Sequence, residues 1–304
     1  MSEEELIARG EYLAHIARCV SCHTPRLEEF TVAEPSIEQV VTLSLHANDA
    51  LDTENFYMAG GREFSQGAAG TLIAGNLTSD EETGIGAWTD EELEMNLRLG
   101  LRPDGTIMAP LMPYRSYAKW SAQDMQALIA YLRSLPAIEN LVDDDSMFIH
   151  DLYEGDPAAD FAALEYPETT PESAVELGTY LVVDVMRCVG CHTPQDPETG
   201  RPDATRYLAG GGAFEGPWGT VYGGNITPHA TTGIGAWTDE EIANVFHEGV
   251  RIDGRSLILM PWQDYSAISD SDLVAVIGYL RSIEAVDNEV PFPAINEEFN
   301  QTAN

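Results

Sequence analysis

The residues in this chain best equipped for chemistry belong to a pentapeptide that occurs twice, CVSCH from Cys19 to His23 and CVGCH from Cys188 to His192. Cys-x-x-Cys-His is the attachment pattern of a c-type haem. Two thiols one short turn apart reach the two vinyl groups of a single haem as thioethers, and the adjacent imidazole then lies under the iron as proximal ligand. The pattern predicts two covalently bound haems, held by Cys19, Cys22 and His23 and by Cys188, Cys191 and His192. Two haems in one chain of 304 residues predict electron transfer. All four cysteines lie inside these motifs, so none remains for a structural disulfide.

An iron held by one histidine has an open axial position, and a methionine thioether there closes it and raises the potential. Met260 is the only methionine after the second motif; the first repeat offers Met58, Met95, Met108, Met112 and Met125. Repeat register selects among them: Met112 lies 36 positions beyond Asn76, and Met260 lies 35 beyond Asn225. Met58 aligns with Leu208, and Met108 has no counterpart. A lone methionine is more often core filler. Recurrence ahead of a proline and an aromatic ring assigns Met112 and Met260 as the sixth ligands. The rival ligands are His15, His46, His150, His229 and His247. None has a histidine at the matching place in the other repeat, and His46 is the strongest competitor. Arg102 aligns with Arg251, and each is a candidate partner for a haem propionate; the alternative is a cap or surface ion pair. Trp88 and Trp237 are expected to pack against haem or core, and Asn76 and Asn225 to fix a turn through their side chains.

The elements that must position these residues are themselves repeated. YMAGGREF (57–64) matches YLAGGGAF (207–214), GNLT (75–78) matches GNIT (224–227), and TGIGAWTDEE occurs identically at 83–92 and 232–241. MPY (112–114) then matches MPW (260–262), and AYLRSLPAI matches GYLRSIEAV. The order predicts two homologous domains in tandem, at 1–142 and 172–304. The acidic, proline-punctuated stretch 143–171 is the connector, with Phe148, Phe161 and Tyr166 available to lie against the domains. The first copy carries about nineteen additional residues, roughly 31–50, between its motif and Tyr57. Its VVTLSL core reads as a short strand or a cover for a haem edge, or as a surface excursion without a role. Helices are expected to lead into each motif (4–18 and 174–187). Others start at Thr89 and Thr238, with Glu92 and Glu241 completing capping boxes, and at Ser121 and Ser269. The fold class is all-α: a few helices around each haem, with little sheet.

Composition narrows the function classes. Fifty-one acidic residues against fifteen basic ones give a net charge of −36. That surplus excludes nucleic acid and anionic lipid as partners, which require a basic footprint. It suits a basic protein partner or a surface adapted to high salt, where self-repulsion is screened. No apolar run is long enough to span a bilayer. Met1 is followed by SEEE rather than a signal sequence, and haem is attached to this motif outside the cytoplasm, so the chain reads as a form whose leader is absent.

With these motifs in place, the chain resembles class I cytochrome c modules. It looks most like the tandem modules in the cytochrome subunits of bacterial alcohol, gluconate and related sugar dehydrogenases. The resemblance rests on CxxCH, GNxT, TGIGxWTDEE, the MPY-like methionine and the final YLRS helix, in both copies. It implies a periplasmic dihaem carrier taking electrons from a dehydrogenase toward an oxidase or another cytochrome. Family subunits often have a third module and a membrane-associating tail, which this chain does not display, so a free soluble carrier fits equally. A competing class is a dihaem enzyme, peroxidase-like or oxidising sulfur compounds. The first needs an open iron, and the second uses a cysteine ligand that this chain cannot spare. A third class replaces haem by a four-cysteine zinc site or dithiol exchange, against which stand the two histidines and the matched methionines.

Overall fold

The computed structural model describes residues 1–65, 70–142 and 152–303. By its internal contacts the chain divides into two compact units, one of 1–27 with 51–171 and the other of 28–50 with 172–304. This corrects the sequence boundaries twice. The additional segment of the first repeat belongs to the second unit, and the described part of the connector belongs to the first. Phe148 and His150 lie outside the described residues.

The first unit is built on two helices, Glu3–Ile16 and Ala122–Ser134, packed against each other. Ser2 caps the first through a capping box with Glu5, and Ser121 caps the second by accepting from the Asp124 amide. Leu13, Ile16, Met125, Leu128 and Leu132 are buried between them. The crossing is close because Gly10 has no side chain. A Cβ there would lie 1.9 Å from the Ala127 carbonyl oxygen. Asp90–Leu99 is the third helix, with the expected Thr89–Glu92 capping box, and it ends on left-handed Gly100. Tyr166, from the stretch before the second repeat, lies 3.7 Å over the buried Arg98 guanidinium. That guanidinium also donates to Glu94 and to the carbonyls of Tyr117, Ala118 and Trp120. A desolvated cation with an aromatic lid and several acceptors explains why the connector settles here.

The second unit repeats the plan. Ala174–Tyr180 packs against Asp270–Ser282, with Gly178 as the contact point, where a Cβ would meet the Ala275 carbonyl oxygen at 2.1 Å. The expected helix 174–187 is continuous only to Tyr180; Leu181–Val185 winds on as a π-helical turn. Asp239–Glu248 carries the Thr238–Glu241 capping box and ends on Gly249. Each unit also has a short antiparallel hairpin, Glu63–Ser65 with Thr71–Ile73 and Ala213–Gly216 with Gly219–Tyr222. Ala294–Ile295 adds a third strand to the second hairpin.

The segment holding VVTLSL is a helix, Ile37–Leu45, not a strand. Ser36 and Gln39 form its capping box, and it lays Val40 and Leu45 on Phe299 of the C-terminal helix Glu297–Ala303. Ile37, Val40, Val41 and Leu45 stand at i, i+3, i+4 and i+8, a helical stripe, and the buried apolar face overrides the β preference of its valines.

Candidate functional site

The two Cys-x-x-Cys-His motifs fold alike. Arg18 and Arg187 stand at φ 71° and 56°, a left-handed step that breaks the incoming helix and starts a new short one. Cys19 is buried, Cys22 and Cys188 are partly buried, and Cys191 is exposed; none of the four is in a disulfide. Loss of water around Cys188 pushes its thiol up to about 12.

The histidines are positioned by backbone. His23 Nδ1 lies 2.8 Å from the Gly75 carbonyl oxygen, and His192 Nδ1 lies 2.8 Å from that of Gly224. Burial lowers both imidazoles below their ordinary value, so both are neutral near pH 7. A neutral ring with Nδ1–H donated to a carbonyl leaves the Nε2 lone pair for a metal and fixes the ring plane.

The carbonyls are held by the glycine-rich turns. Gly60 donates to the His23 carbonyl at 2.7 Å, and Gly210 donates to that of His192 at 2.6 Å. Both glycines have left-handed φ, 80° and 72°, and a Cβ on either would strike the Gly75 or Gly224 peptide at 2.6 Å or 2.4 Å. The preceding Met58 and Leu208, both at φ 55° and fully buried, donate from their amides to the Thr24 and Thr193 hydroxyl oxygens. Met58 therefore occupies a core position, as its alignment with Leu208 required. Asn76 and Asn225 do fix a turn: each Oδ1 accepts from the amide and hydroxyl of Thr78 or Thr227. Each Nδ2 reaches across to the Ile138 or Val286 carbonyl.

Met112 and Met260 are half-buried in loops, each two residues before a four-residue helix, Tyr114–Tyr117 or Trp262–Tyr265. Among the rival histidines, His229 closes the turn that Asp80 closes in the first repeat, bonding Thr232 Oγ1 at 2.7 Å. His247 contacts the Ser266 carbonyl at 3.2 Å, and exposed His46 lies edge-on to Trp262 with ring centroids 5.9 Å apart. Trp88 and Trp237 are gripped through their carbonyls by Arg133 and Arg281, from the last helix of each plan.

Arg251 is drawn inward: burial lowers its guanidinium, its charge acts on His192, and it lies 5.6 Å over the Trp237 ring. Its Nε is buried without a hydrogen bond, though 3.7 Å from the Asp253 carboxylate. Burial pushes the Asp104 carboxyl up, but hydrogen bonds from Thr106, helped by the Arg102 charge, hold it below its ordinary value. Arg26 Nε and Arg187 Nε, both next to a motif, are likewise buried without hydrogen bonds. Buried guanidinium nitrogens beside paired thiols and a neutral imidazole match the acidic edge, vinyl groups and iron of a haem, so the residues fit that group. Among the described residues no three His, Cys, Asp or Glu side chains are grouped so as to hold a metal ion.

Residues 7–136 match the family model described as Cytochrome c, and the chain carries a cytochrome c domain over that span. Such a domain binds haem c covalently. Over 94% of its length the chain is 30% identical to the alcohol dehydrogenase (quinone) cytochrome c subunit of Gluconobacter oxydans. It is 26% identical, again over 94%, to the gluconate 2-dehydrogenase cytochrome c subunit of Pantoea cypripedii. The chain spans 56% and 61% of those two proteins. A diheme cytochrome c-type protein of Cereibacter sphaeroides is 28% identical over 92% of the chain and 86% of its own length. These relatives are electron-transfer proteins or subunits, not the catalytic subunits of dehydrogenases.

Sequence reasoning missed two features of the site. One is the pair of carbonyls on the imidazoles; their only trace was the glycine pair 60–61 repeated at 210–211. The other is the set of phenol pairs behind the motifs, Tyr57 with Tyr131 at 2.8 Å and Tyr207 with Tyr279 at 2.9 Å, signalled by tyrosines at matched places in both copies.

Proposed function

We propose that each unit is a cytochrome c module and that the protein is a dihaem electron carrier. Cys19, Cys22 and His23 hold one haem and Cys188, Cys191 and His192 the other; Met112 and Met260 complete the two irons, and Arg102 and Arg251 face their propionates. The observation that carries this reading is the duplicated imidazole geometry, Nδ1 committed to a glycine carbonyl at 2.8 Å in both units. Bound haem supplies a one-electron couple. The chain's own part is to keep the imidazole neutral and oriented, to exclude water from it, and to present thioether sulfur on loops braced by short helices.

The relatives' names support a dehydrogenase as electron donor; the family resemblance of the repeated motifs adds an oxidase or other cytochrome as acceptor and a periplasmic location. Among the described residues no helix is long and apolar enough to cross a membrane. Anaerobic reductive titration is expected to take up two electrons per chain. The oxidised protein is expected to show the red-edge sulfur-to-iron charge-transfer band, reduced by about half in M112A and again by about half in M260A. A band unaffected by either substitution contradicts methionine ligation, and rapid carbon monoxide binding to the reduced wild type favours a dihaem enzyme.

A further inference from the structure

The first repeat's additional segment lies, within the second unit, on the loop that carries Met260. Six contacts bracket that methionine. On its N-terminal side, the Leu259 amide donates to the Ser44 carbonyl at 3.2 Å, and Ile258 packs on the Val40–Leu45–Phe299 cluster. On its C-terminal side, the Trp262 indole N–H donates to the Leu45 carbonyl at 2.9 Å. Asn48 then donates from its amide to Gln263 Oε1 at 2.9 Å and from Nδ2 to the buried Asp264 carboxylate at 2.8 Å. Gln263 returns a bond to Asp49 at 2.9 Å.

The first repeat's own methionine loop is held differently among the described residues: its start pairs with the connector at Thr106–Leu152, and the Tyr153 amide donates to the Gly105 carbonyl at 3.0 Å. There Met112 donates back to the Ala109 carbonyl at 3.1 Å, an internal turn. The second loop is one residue shorter between Asn225 and its methionine. At the shortened place Leu259 stands at φ 68°, a left-handed conformation that a branched side chain keeps only when its surroundings impose it. Ser44 supplies that imposition through the Leu259 amide. The longer loop closes on itself; the shorter one closes on the additional helix.

We propose that the Ile37–Leu45 helix and the turn after it are a brace that holds Met260 in ligating position, with Ser44, Leu45 and Asn48 as positioning residues for the second iron. This deepens the ligand assignment of the proposed function and rests on it. The brace makes the second haem's sixth ligand depend on residues of the first repeat, whereas among the described residues the Met112 turn closes on Ala109 of its own loop.

The test uses the haem-loaded full chain, with imidazole as the probe that displaces a weakly held methionine. N48A removes one hydrogen bond of the brace, from Nδ2 to Asp264, and W262F removes a second while keeping an aromatic ring. Each net hydrogen bond is worth about two- to tenfold in an equilibrium. The double variant is therefore expected to raise imidazole affinity at one haem about four- to a hundredfold and to leave the other at its wild-type value. Y114F, at the matching place in the first repeat, is expected to change neither. N48A alone, which alters only a partly buried polar side chain, is expected to give a several-fold rise at the same haem and serves if the double variant does not fold. Unchanged affinity at both haems in a folded N48A/W262F protein overturns the brace, as does an equal rise at both. If M260A keeps the full charge-transfer band, the ligand assignment itself is wrong and the brace falls with it. Failure of the brace alone appears as a halved band in M260A with no imidazole effect in N48A/W262F.

Discussion

Gly210 gives the sharpest energetic handle on the proximal side of the second site. It sits at φ +72°, and a Cβ there would lie 2.4 Å from both the Gly223 oxygen and the Gly224 carbonyl carbon, and 2.6 Å from the Asn225 nitrogen. All three are backbone atoms, so no flexible side chain can yield. Gly210→Ala therefore incurs two costs: about 1–2 kcal/mol for an alanine in left-handed backbone and about 1–3 kcal/mol for the overlap. Gly200 separates them, because it lies in the same unit at φ +66° with nothing within 4 Å of its would-be Cβ. Gly200→Ala incurs only the first cost. Chemical denaturation of the haem-loaded chain is thus expected to place G210A below G200A by about 1–3 kcal/mol. In thermal unfolding that is roughly 2–10 °C. Because the displaced peptide is the one whose oxygen meets His192 Nδ1, G210A is also expected to move the midpoint potential of one haem, while G200A moves neither. Equal stabilities and equal potentials for the two variants would show that the glycine turn does not press on the Gly224 peptide, and the mechanical link from turn to imidazole would be refuted.

The helix crossings are testable by the same logic. Gly10→Ala and Gly178→Ala place a Cβ 1.9 Å and 2.1 Å from a facing carbonyl oxygen, so each is expected to lower stability by about 1–3 kcal/mol despite alanine's better helix propensity; stabilisation of either in a denaturant titration would argue for a looser crossing. Asn76→Ala removes four hydrogen bonds from a buried turn and is expected to cost roughly 2–4 kcal/mol, read by the same titration. Hydrogen bonds from Thr205 and Arg206 hold the Asp203 carboxyl down at about 2, against about 3.9 in an unfolded chain. Its contribution is therefore present above about pH 4 and lost as pH falls toward 2, so Asp203→Asn should flatten the acid limb of the stability profile; an unchanged limb in a pH-dependent melt would count against the contact. The net charge of −36 predicts a melting temperature that rises between low and molar salt if self-repulsion is what the surface has to screen; a flat response favours a basic partner instead.

Much of this was legible in the residues because the chain states its plan twice. Thr89 with Glu92 and Thr238 with Glu241 marked two helix starts through side-chain chemistry alone, and both capping boxes are present. Thr78 and Asn76 were readable as a turn for the same reason: their hydrogen bonds are local. What escaped was whatever acts through backbone or across the repeat boundary. The Gly75 and Gly224 carbonyls have no side-chain signature, only the glycines that clear room for them. The 31–50 segment was misassigned to the first domain because sequence adjacency to Cys19–His23 says nothing about where an apolar stripe finds its partner. Its helical nature was signalled by Ser36 and Gln39, a capping-box pair that outweighs the β-branched run after it. Its destination was set by Phe299 and the Met260 loop, more than two hundred residues away in the chain.

Everything proposed here requires a porphyrin in each unit, joined through both cysteines of its motif. Intact-mass measurement of the natively matured protein, denatured to strip anything held non-covalently, is the most direct test. The expected spectrum is a single species carrying two haem additions with no free thiol among Cys19, Cys22, Cys188 and Cys191. A species with one addition or none, from cells that attach haem to other proteins normally, would contradict it.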